Sequence, residues 1–318
     1  MIILTGGAGF IGSCLLKKLN ENDITDILIV DKLGSNNKWN NLVGKKFAGY
    51  EDKDSFLAKL NSNCYKNINT IFHIGACSVT TEKNVDYLFS NNYNYSVSIA
   101  KYCAEKDIRL IYASSAATYG DGSNGYSDTN FDNLKPLNPY GFSKHLFDLW
   151  LIDNKLDNRF CGLKFFNVFG PNEYHKGDMA SMIFKSFYQV KNFGQVNLFK
   201  SNSIDYLDGE QKRDFVYIKD VNDIILKIYN DSSISGIYNL GTGFANSWNK
   251  LIESVFQAMN IKPKINYIEM PEHLKCQYQN FTQADMNKLF AKIGNFNYLP
   301  IEESVKDYIQ NYLIQDWQ

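Results

Sequence analysis

The sequence predicts an α/β protein, a doubly wound parallel sheet with a smaller, mostly α second domain, and three observations predict it. Short β-branched runs alternate with longer amphipathic stretches through the first half of the chain. Parallel neighbours need such crossover helices. A glycine-rich turn, Gly6-Gly7-Ala8-Gly9-Phe10-Ile11-Gly12, follows the first run directly and opens the first helical stretch. After Gly170-Pro171 the pattern changes to polar, turn-rich and helical segments. A chain of 318 residues has room for about two domains.

Taken in order, Ile2–Leu4 and Ile27–Asp31 read as strands, with Gly12–Asn20 as the helix between them. Thr70–Ile74 and Leu110–Ser114 are the next strands, separated by a helical pattern around Tyr93–Cys103. Ser143–Lys155 is helical and Cys161–Phe166 strand-like. Met179–Val190 has helical spacing, and Ser201–Gln211 is polar and turn-rich. Asp214–Ile218 and Tyr238–Leu240 read as strands, and from Trp248 the tail is mostly helical, with a strand-like Ile265–Ile268. No repeat or flexible linker separates two halves, so the domains are expected to interleave. Residues 1–168 plus about 214–243 form one, and 169–213 plus about 244–318 the other.

Composition excludes several function classes. There are 33 Lys+Arg against 34 Asp+Glu, a formal charge of −1, which gives no chain-wide grip on nucleic acid or anionic lipid. No apolar run approaches the ~20 residues that span a bilayer, and Met1–Gly6 lacks the features of a signal peptide. The six cysteines, Cys14, Cys64, Cys77, Cys103, Cys161 and Cys276, include no C-x-x-C pair. That spacing indicates neither a disulfide framework nor a metal site. A soluble protein of a reducing, cytoplasmic compartment is expected.

The glycines at 6, 9 and 12 carry a physical demand. A dinucleotide pyrophosphate lies against backbone N–H groups at a helix N-terminus, where a side chain would block it, and the third glycine lets helix and strand pack closely. Strand, glycine turn and helix in that order make the sheet Rossmann-like. Asp31 ends the second strand about 20 residues on, where a carboxylate meets the adenosine ribose and disfavours a 2′-phosphate. Lys32, Lys38 and Lys53 follow closely and would neutralise such a phosphate. On these residues NADP and NAD both stay open.

Tyr140 and Lys144 stand at i and i+4, on one face of a helix. An ammonium beside a phenol favours the phenolate, which suits Tyr140 to move a hydroxyl proton while a nicotinamide moves the hydride. Ser114 and Ser115 end a strand, where open α/β sheets place their ligands. A serine there can hydrogen-bond the reacting oxygen.

Together these features resemble the nucleotide-sugar epimerases and dehydratases of the extended short-chain dehydrogenase/reductase superfamily. Ser115, Tyr140 and Lys144 match its catalytic triad, Phe72–Cys77 its third-strand cofactor segment, Asn167–Pro171 its N-V-Y-G-P segment, and Lys212–Val221 its late R-D-F-x-x-V-x-D signature. Within it, Met1–Gly12, His175–Ser181 and Tyr278–Asp285 resemble the ADP-L-glycero-D-manno-heptose 6-epimerases. That resemblance implies tightly held NADP, a homo-oligomer (a pentamer), no metal, and Lys176 as a second acid/base. Beside the cradle glycines Gly6, Gly9 and Gly12, it places cofactor contacts on Phe10, Ile11, Asp31, Lys32, Lys38, Lys53, Gly75, Ala76, Cys77, Ser78, Val79, Asn92, Lys144 and Val168. It places substrate contacts on Ser115, Asn167, Asp178, Lys185, Phe199, Lys200, Ser201, Asn202, Arg213 and Tyr278. Asp178 and Lys185 stand where the family usually has serine and histidine, and Phe142 where it has tyrosine.

The activity so implied is inversion at C6 of an ADP-heptose, a step in supplying heptose for the lipopolysaccharide inner core. The hydrogen on C6 is not acidic, so inversion is expected to pass through a transient 6-keto sugar that turns and takes the hydride back on its other face. Arg213 suits the diphosphate, which a guanidinium grips with paired hydrogen bonds. A 4-epimerase, a 4,6-dehydratase and a non-catalytic NADP-binding sensor or scaffold are the alternatives. A dehydratase would carry an Asp-Glu pair after its serine segment, where this chain has Ala116-Ala117-Thr118-Tyr119.

Overall fold

The computed structural model describes residues 1–275 and 278–315. Its centre is a seven-stranded parallel sheet. The strands of the fold in chain order are β1 (Ile2–Thr5), β2 (Ile27–Asp31), β3 (Gly49–Asp52), β4 (Thr70–His73), β5 (Arg109–Ser115), β6 (Cys161–Phe165), β7 (Asn167–Phe169), β8 (Val196–Phe199), β9 (Lys212–Tyr217), β10 (Gly236–Leu240), β11 (Ala245–Ser247) and β12 (Ile265–Ile268). The central sheet runs β10-β6-β5-β4-β1-β2-β3. Its order reverses between β1 and β4, which opens a crevice at the carboxyl ends of the strands.

Burial on both faces explains the unbroken apolar runs of these strands. Ile2, Leu4, Ile27, Ile29, Phe72 and Ile111 point into one core. The intervening Ile3, Leu28, Val30, Ile71, Leu110 and Tyr112 point into the other. Helix α1 (Phe10–Asn20) begins at Phe10, two residues before the sequence reading, because Gly9 already serves as its N-cap. The helical stretch expected around Tyr93–Cys103 is present and changes its winding without a break. A π turn, Phe89–Asn94, runs into a regular helix, Tyr95–Lys106. The helix expected from Met179 begins at Met182, since the Ser181 hydroxyl caps it by accepting from Phe184 N–H.

The strand expected at Asp214–Ile218 is present as β9, but it does not rejoin the central sheet. It pairs antiparallel with β11 and parallel with β7 in a separate three-stranded sheet. The strand that does return is β10, which pairs with β6 along its whole length. A third, two-stranded sheet joins β12 to β8. Among the described residues no helix is long and apolar enough to cross a membrane. Cys14, Cys64, Cys77, Cys103 and Cys161 are free thiols, and Cys276 lies outside the described residues.

Candidate active site

A cleft of about 870 Å³ runs along the carboxyl ends of β1, β2, β4, β5 and β6. At its floor, Gly6 takes φ +70 and lies so close to the loop after β4 that a Cβ on it would meet Gly75 Cα at 2.6 Å. A Cβ on Gly12 would stand 2.2 Å from Gly6 O. Gly9 caps α1 without any side-chain hydrogen bond, and the first turn of α1 holds no acidic residue. The helix therefore presents bare N–H groups to the cleft, a cradle shaped for a pyrophosphate. The residues present fit a dinucleotide.

A buried polar chain holds the floor. Gly75 N–H donates to Thr5 Oγ1 at 3.2 Å, Thr5 Oγ1 meets His73 Nδ1 at 2.7 Å, and His73 Nε2 meets Ser96 Oγ at 2.8 Å. Burial, and behind it the Lys144 charge, push His73 down to about 3. It is a neutral spacer between β1 and β4 rather than a base.

At the end of β2, Asp31 is engaged on both oxygens. Oδ2 accepts Ala8 N–H at 2.8 Å, and Oδ1 accepts Lys32 N–H at 2.7 Å and Lys38 Nζ at 2.5 Å. Lys53 Nζ reaches Asn91 Oδ1 at 2.5 Å, and Lys32 Nζ reaches Asp54 at 2.6 Å. All three lysines line the cleft.

The helix Pro139–Asp153 brings Tyr140 and Lys144 to the end of β5, where Ser115 stands, and all three side chains line the cleft. Lys144 is 3% exposed and its Nζ donates to Ala113 O at 2.9 Å. Burial lowers it to about 8, against the nearby Asp148 and Cys77. The expectation that the Lys144 ammonium draws the Tyr140 phenol down needs correction. Burial pushes Tyr140 above its ordinary 10, and the opposing influence is a hydrogen bond with Ser115. Lys176 enters the cleft from the turn Tyr174–Met179, its ammonium 5.4 Å from the centre of the Phe10 ring. Burial lowers its pKa, with Glu173 opposing and Lys185 adding to the effect.

Other residues fall in different places. Phe10, Ile11, Ala76, Cys77, Ser78, Val79, Asn167 and Val168 line the cleft. Asn92 does not. Buried in the π turn, it accepts Cys77 N–H at 2.9 Å and donates to Cys77 O at 3.0 Å and Ser143 Oγ at 3.1 Å. It clamps the loop after β4 to the Tyr140 helix. Asp178 is exposed and accepts Lys185 Nζ on its backbone oxygen at 2.6 Å, and neither residue lines the cleft. Phe199, Lys200, Ser201 and Asn202 also lie outside its lining, where Lys200 pairs with Glu269 at 2.6 Å. Arg213 is 6% exposed, its guanidinium 5.1 Å from the Tyr278 ring and 5.8 Å from that of Trp248. Trp248 lines the cleft and connects Arg213 to it. Sequence reasoning missed Trp248, which reads there only as the first residue of a helical tail.

A sequence model of the NAD dependent epimerase/dehydratase family matches residues 2–241. An ADP-L-glycero-D-manno-heptose-6-epimerase of Nitratidesulfovibrio vulgaris is 47% identical over 317 residues, covering 98% of each chain. The enzyme of the same name from Fusobacterium nucleatum is 47% identical over 332 residues, covering 99% of each. Among solved structures, the Helicobacter pylori ADP-L-glycero-D-manno-heptose-6-epimerase superposes with a TM-score of 0.83 at 30% identity, covering 98% of this chain and 95% of that one. A UDP-N-acetylglucosamine 4-epimerase of Methanobrevibacter ruminantium has the same TM-score at 24% identity, covering 99% and 98%, and shares the fold.

Proposed function

The chain belongs to the NAD dependent epimerase/dehydratase family, and from that premise we propose that it inverts C6 of ADP-D-glycero-D-manno-heptose to give the L-glycero epimer, the heptose donor for the lipopolysaccharide inner core. The observation that carries this reading is one cleft that receives Ser115, Tyr140 and Lys144 from β5 and its neighbouring helix, and Lys176 from a separate turn. The near-full-length likeness to enzymes of that name supports the substrate. The test is incubation with ADP-D-glycero-D-manno-heptose and assignment of C6 by NMR. Inversion is expected. No inversion, with turnover of UDP-galactose, would overturn the substrate in favour of a 4-epimerase.

The mechanism follows from proton handling. A nicotinamide dinucleotide bound in the cleft would supply hydride acceptor and donor chemistry. Gly6, Gly9, Phe10, Ile11 and Gly12 would hold its pyrophosphate, and Lys144 its nicotinamide ribose. Tyr140, which burial keeps protonated, gives its phenolic proton to the C6 oxygen in one orientation of the sugar, and Lys176, whose pKa burial lowers, takes the C6 hydroxyl proton on Nζ in the other. Burial lowers the Lys176 pKa toward working pH, where acid–base transfer is most efficient. Ser115 steadies the reacting oxygen. Arg213, with Tyr278 and Trp248 around it, is assigned the diphosphate.

The cofactor proposed is NADP. The Asp31 carboxylate that would repel a 2′-phosphate is already paired with Lys38, and Lys32 and Lys53 lie on the same wall. Lys38→Glu is expected to weaken NADP binding by more than about tenfold, a cost of ~1.4 kcal/mol, with NAD binding nearly unchanged in the same fluorescence titration. Equal weakening would mean that the lysines do not read the phosphate. A division into 1–168 plus about 214–243 and 169–213 plus about 244–318, with β9 at the seam outside the central sheet, a cytoplasmic location and a homo-oligomer complete the reading, and light scattering of the purified protein tests the last.

A further inference from the structure

Behind the reacting centre stands a buried charge pair that the chemistry above does not use. Asp148 lies on the Tyr140 helix one turn past Lys144. Its side chain and that of Lys164, next to last in β6, are both fully buried, and Lys164 Nζ donates to Asp148 Oδ2 at 2.8 Å. The same carboxylate accepts the Tyr112 hydroxyl at 2.9 Å and the Ser114 hydroxyl at 2.6 Å, both from β5. Lys164 Nζ also donates to Thr118 Oγ1 at 2.8 Å and lies about equally close to the rings of Tyr119 (5.1 Å) and Phe131 (5.0 Å). Ser114 directly precedes Ser115, and the neighbouring Ala113 carbonyl holds Lys144.

Removing two charges from water costs several kcal/mol per ion, and well-packed apolar residues often hold a fold as well or better. The retained charges therefore ask for a role besides stability. We propose that Asp148 and Lys164 are positioning residues for the reaction, fixing the strand end that carries Ser115 against the helix that carries Tyr140 and Lys144, with the Asp148 carboxylate set one turn behind Lys144. This rests on the assignment of Tyr140, Lys144 and Ser115 made above.

The groups facing Lys144 define the sign of the effect. On its own helix are Tyr140 and Asp148, from β4 comes His73, from the loop after β4 comes Cys77, and from β5 the Ala113 carbonyl. Lys164 of β6 reaches it only through Asp148. His73 is neutral at working pH, so Asp148 is the negative charge that opposes the desolvation of Lys144. Lys144 is protonated below about 8, and loss of the Asp148 charge moves that limit to lower pH.

The double variant Asp148→Asn/Lys164→Met removes both charges, keeps an acceptor for one of the Tyr112 and Ser114 hydroxyls while offering an N–H to the other, and fills the volume of Lys164. Its NADP affinity, measured against pH, is expected to lose its alkaline limb about one pH unit earlier than the wild type, a tenfold change in proton affinity. Its kcat at pH 7.5 is expected to fall by about threefold, as a Lys144 limit moved one unit below 8 requires, and to recover toward pH 6.5. A folded double variant with both profiles unmoved would overturn the proposal and leave the pair purely structural. Should the double variant not fold, Ser114→Ala removes only the tie from Asp148 to the end of β5. It is expected to lower kcat several-fold with KM unchanged and Tm reduced only as far as the loss of one buried hydrogen bond requires, and an unchanged kcat would overturn the proposal equally. The cofactor titration needs no turnover, so a wild type that binds NADP but inverts no heptose refutes the function and leaves this inference standing on its own readout.

Discussion

Gly12→Ala is expected to abolish dinucleotide binding and to lower the stability of the fold. The added Cβ would sit 2.2 Å from Gly6 O and 2.8 Å from Gly6 C, and both are backbone atoms with no rotamer to yield. Gly6 cannot retreat, because it already abuts Gly75. Overpacking of this kind costs roughly 1–3 kcal/mol, and the displaced α1 start no longer aims its N–H groups at the cleft. A fall of about a hundredfold or more in NADP affinity, with a lower Tm, is the outcome to look for by titration and thermal melting. Gly9→Ala separates the two effects. Its Cβ would meet only Gly6 O, at 3.1 Å, so the fold should survive while a methyl now stands on the helix cap where the ligand approaches. Wild-type affinity in Gly12→Ala would show that the pyrophosphate lies elsewhere.

Lys176→Met and Tyr140→Phe are each expected to lower the epimerisation rate by about 10²–10⁴-fold, the range for loss of a positioned acid or base. Methionine keeps the apolar stem of Lys176 and removes only the ammonium that stands over Phe10, and phenylalanine keeps the ring of Tyr140. Cofactor affinity should therefore stay near wild type in both. Because the two groups serve successive halves of one inversion, the double variant should be little worse than either single one. Steady-state kinetics with NMR of C6 reads all three. Full activity in Lys176→Met would remove it from the mechanism and leave Tyr140 to act alone.

Much of the architecture is legible in the residues because the central strands are buried on both faces and so spell continuous β-branched runs, as in β1, β2 and β4. What escapes the sequence is short, half-exposed or decided by distant partners. The edge strand β3 reads Gly-Tyr-Glu-Asp with alternate residues exposed, and β7 and β11 have three residues each. The strand character of β9 is visible locally, but its choice of β7 and β11 over the central sheet is not. The site divides in the same way. The glycine turn and the Tyr140–Lys144 spacing are local geometry and can be read directly. Asn92 and Trp248 act through contacts with segments far along the chain, such as Cys77 and Arg213, and no spacing announces them.

The late return of β10 bears on how the chain is made. Six of the seven central strands have left the ribosome by Phe165, yet the partner of β6 begins only at Gly236. For the synthesis of about 70 residues, several seconds at ordinary translation rates, β6 presents an unpaired edge of the kind that recruits other chains. A nascent chain stalled in that interval is the form of this protein most exposed to aggregation, and a ribosome-bound fragment ending before Gly236 is where chaperone dependence should be greatest.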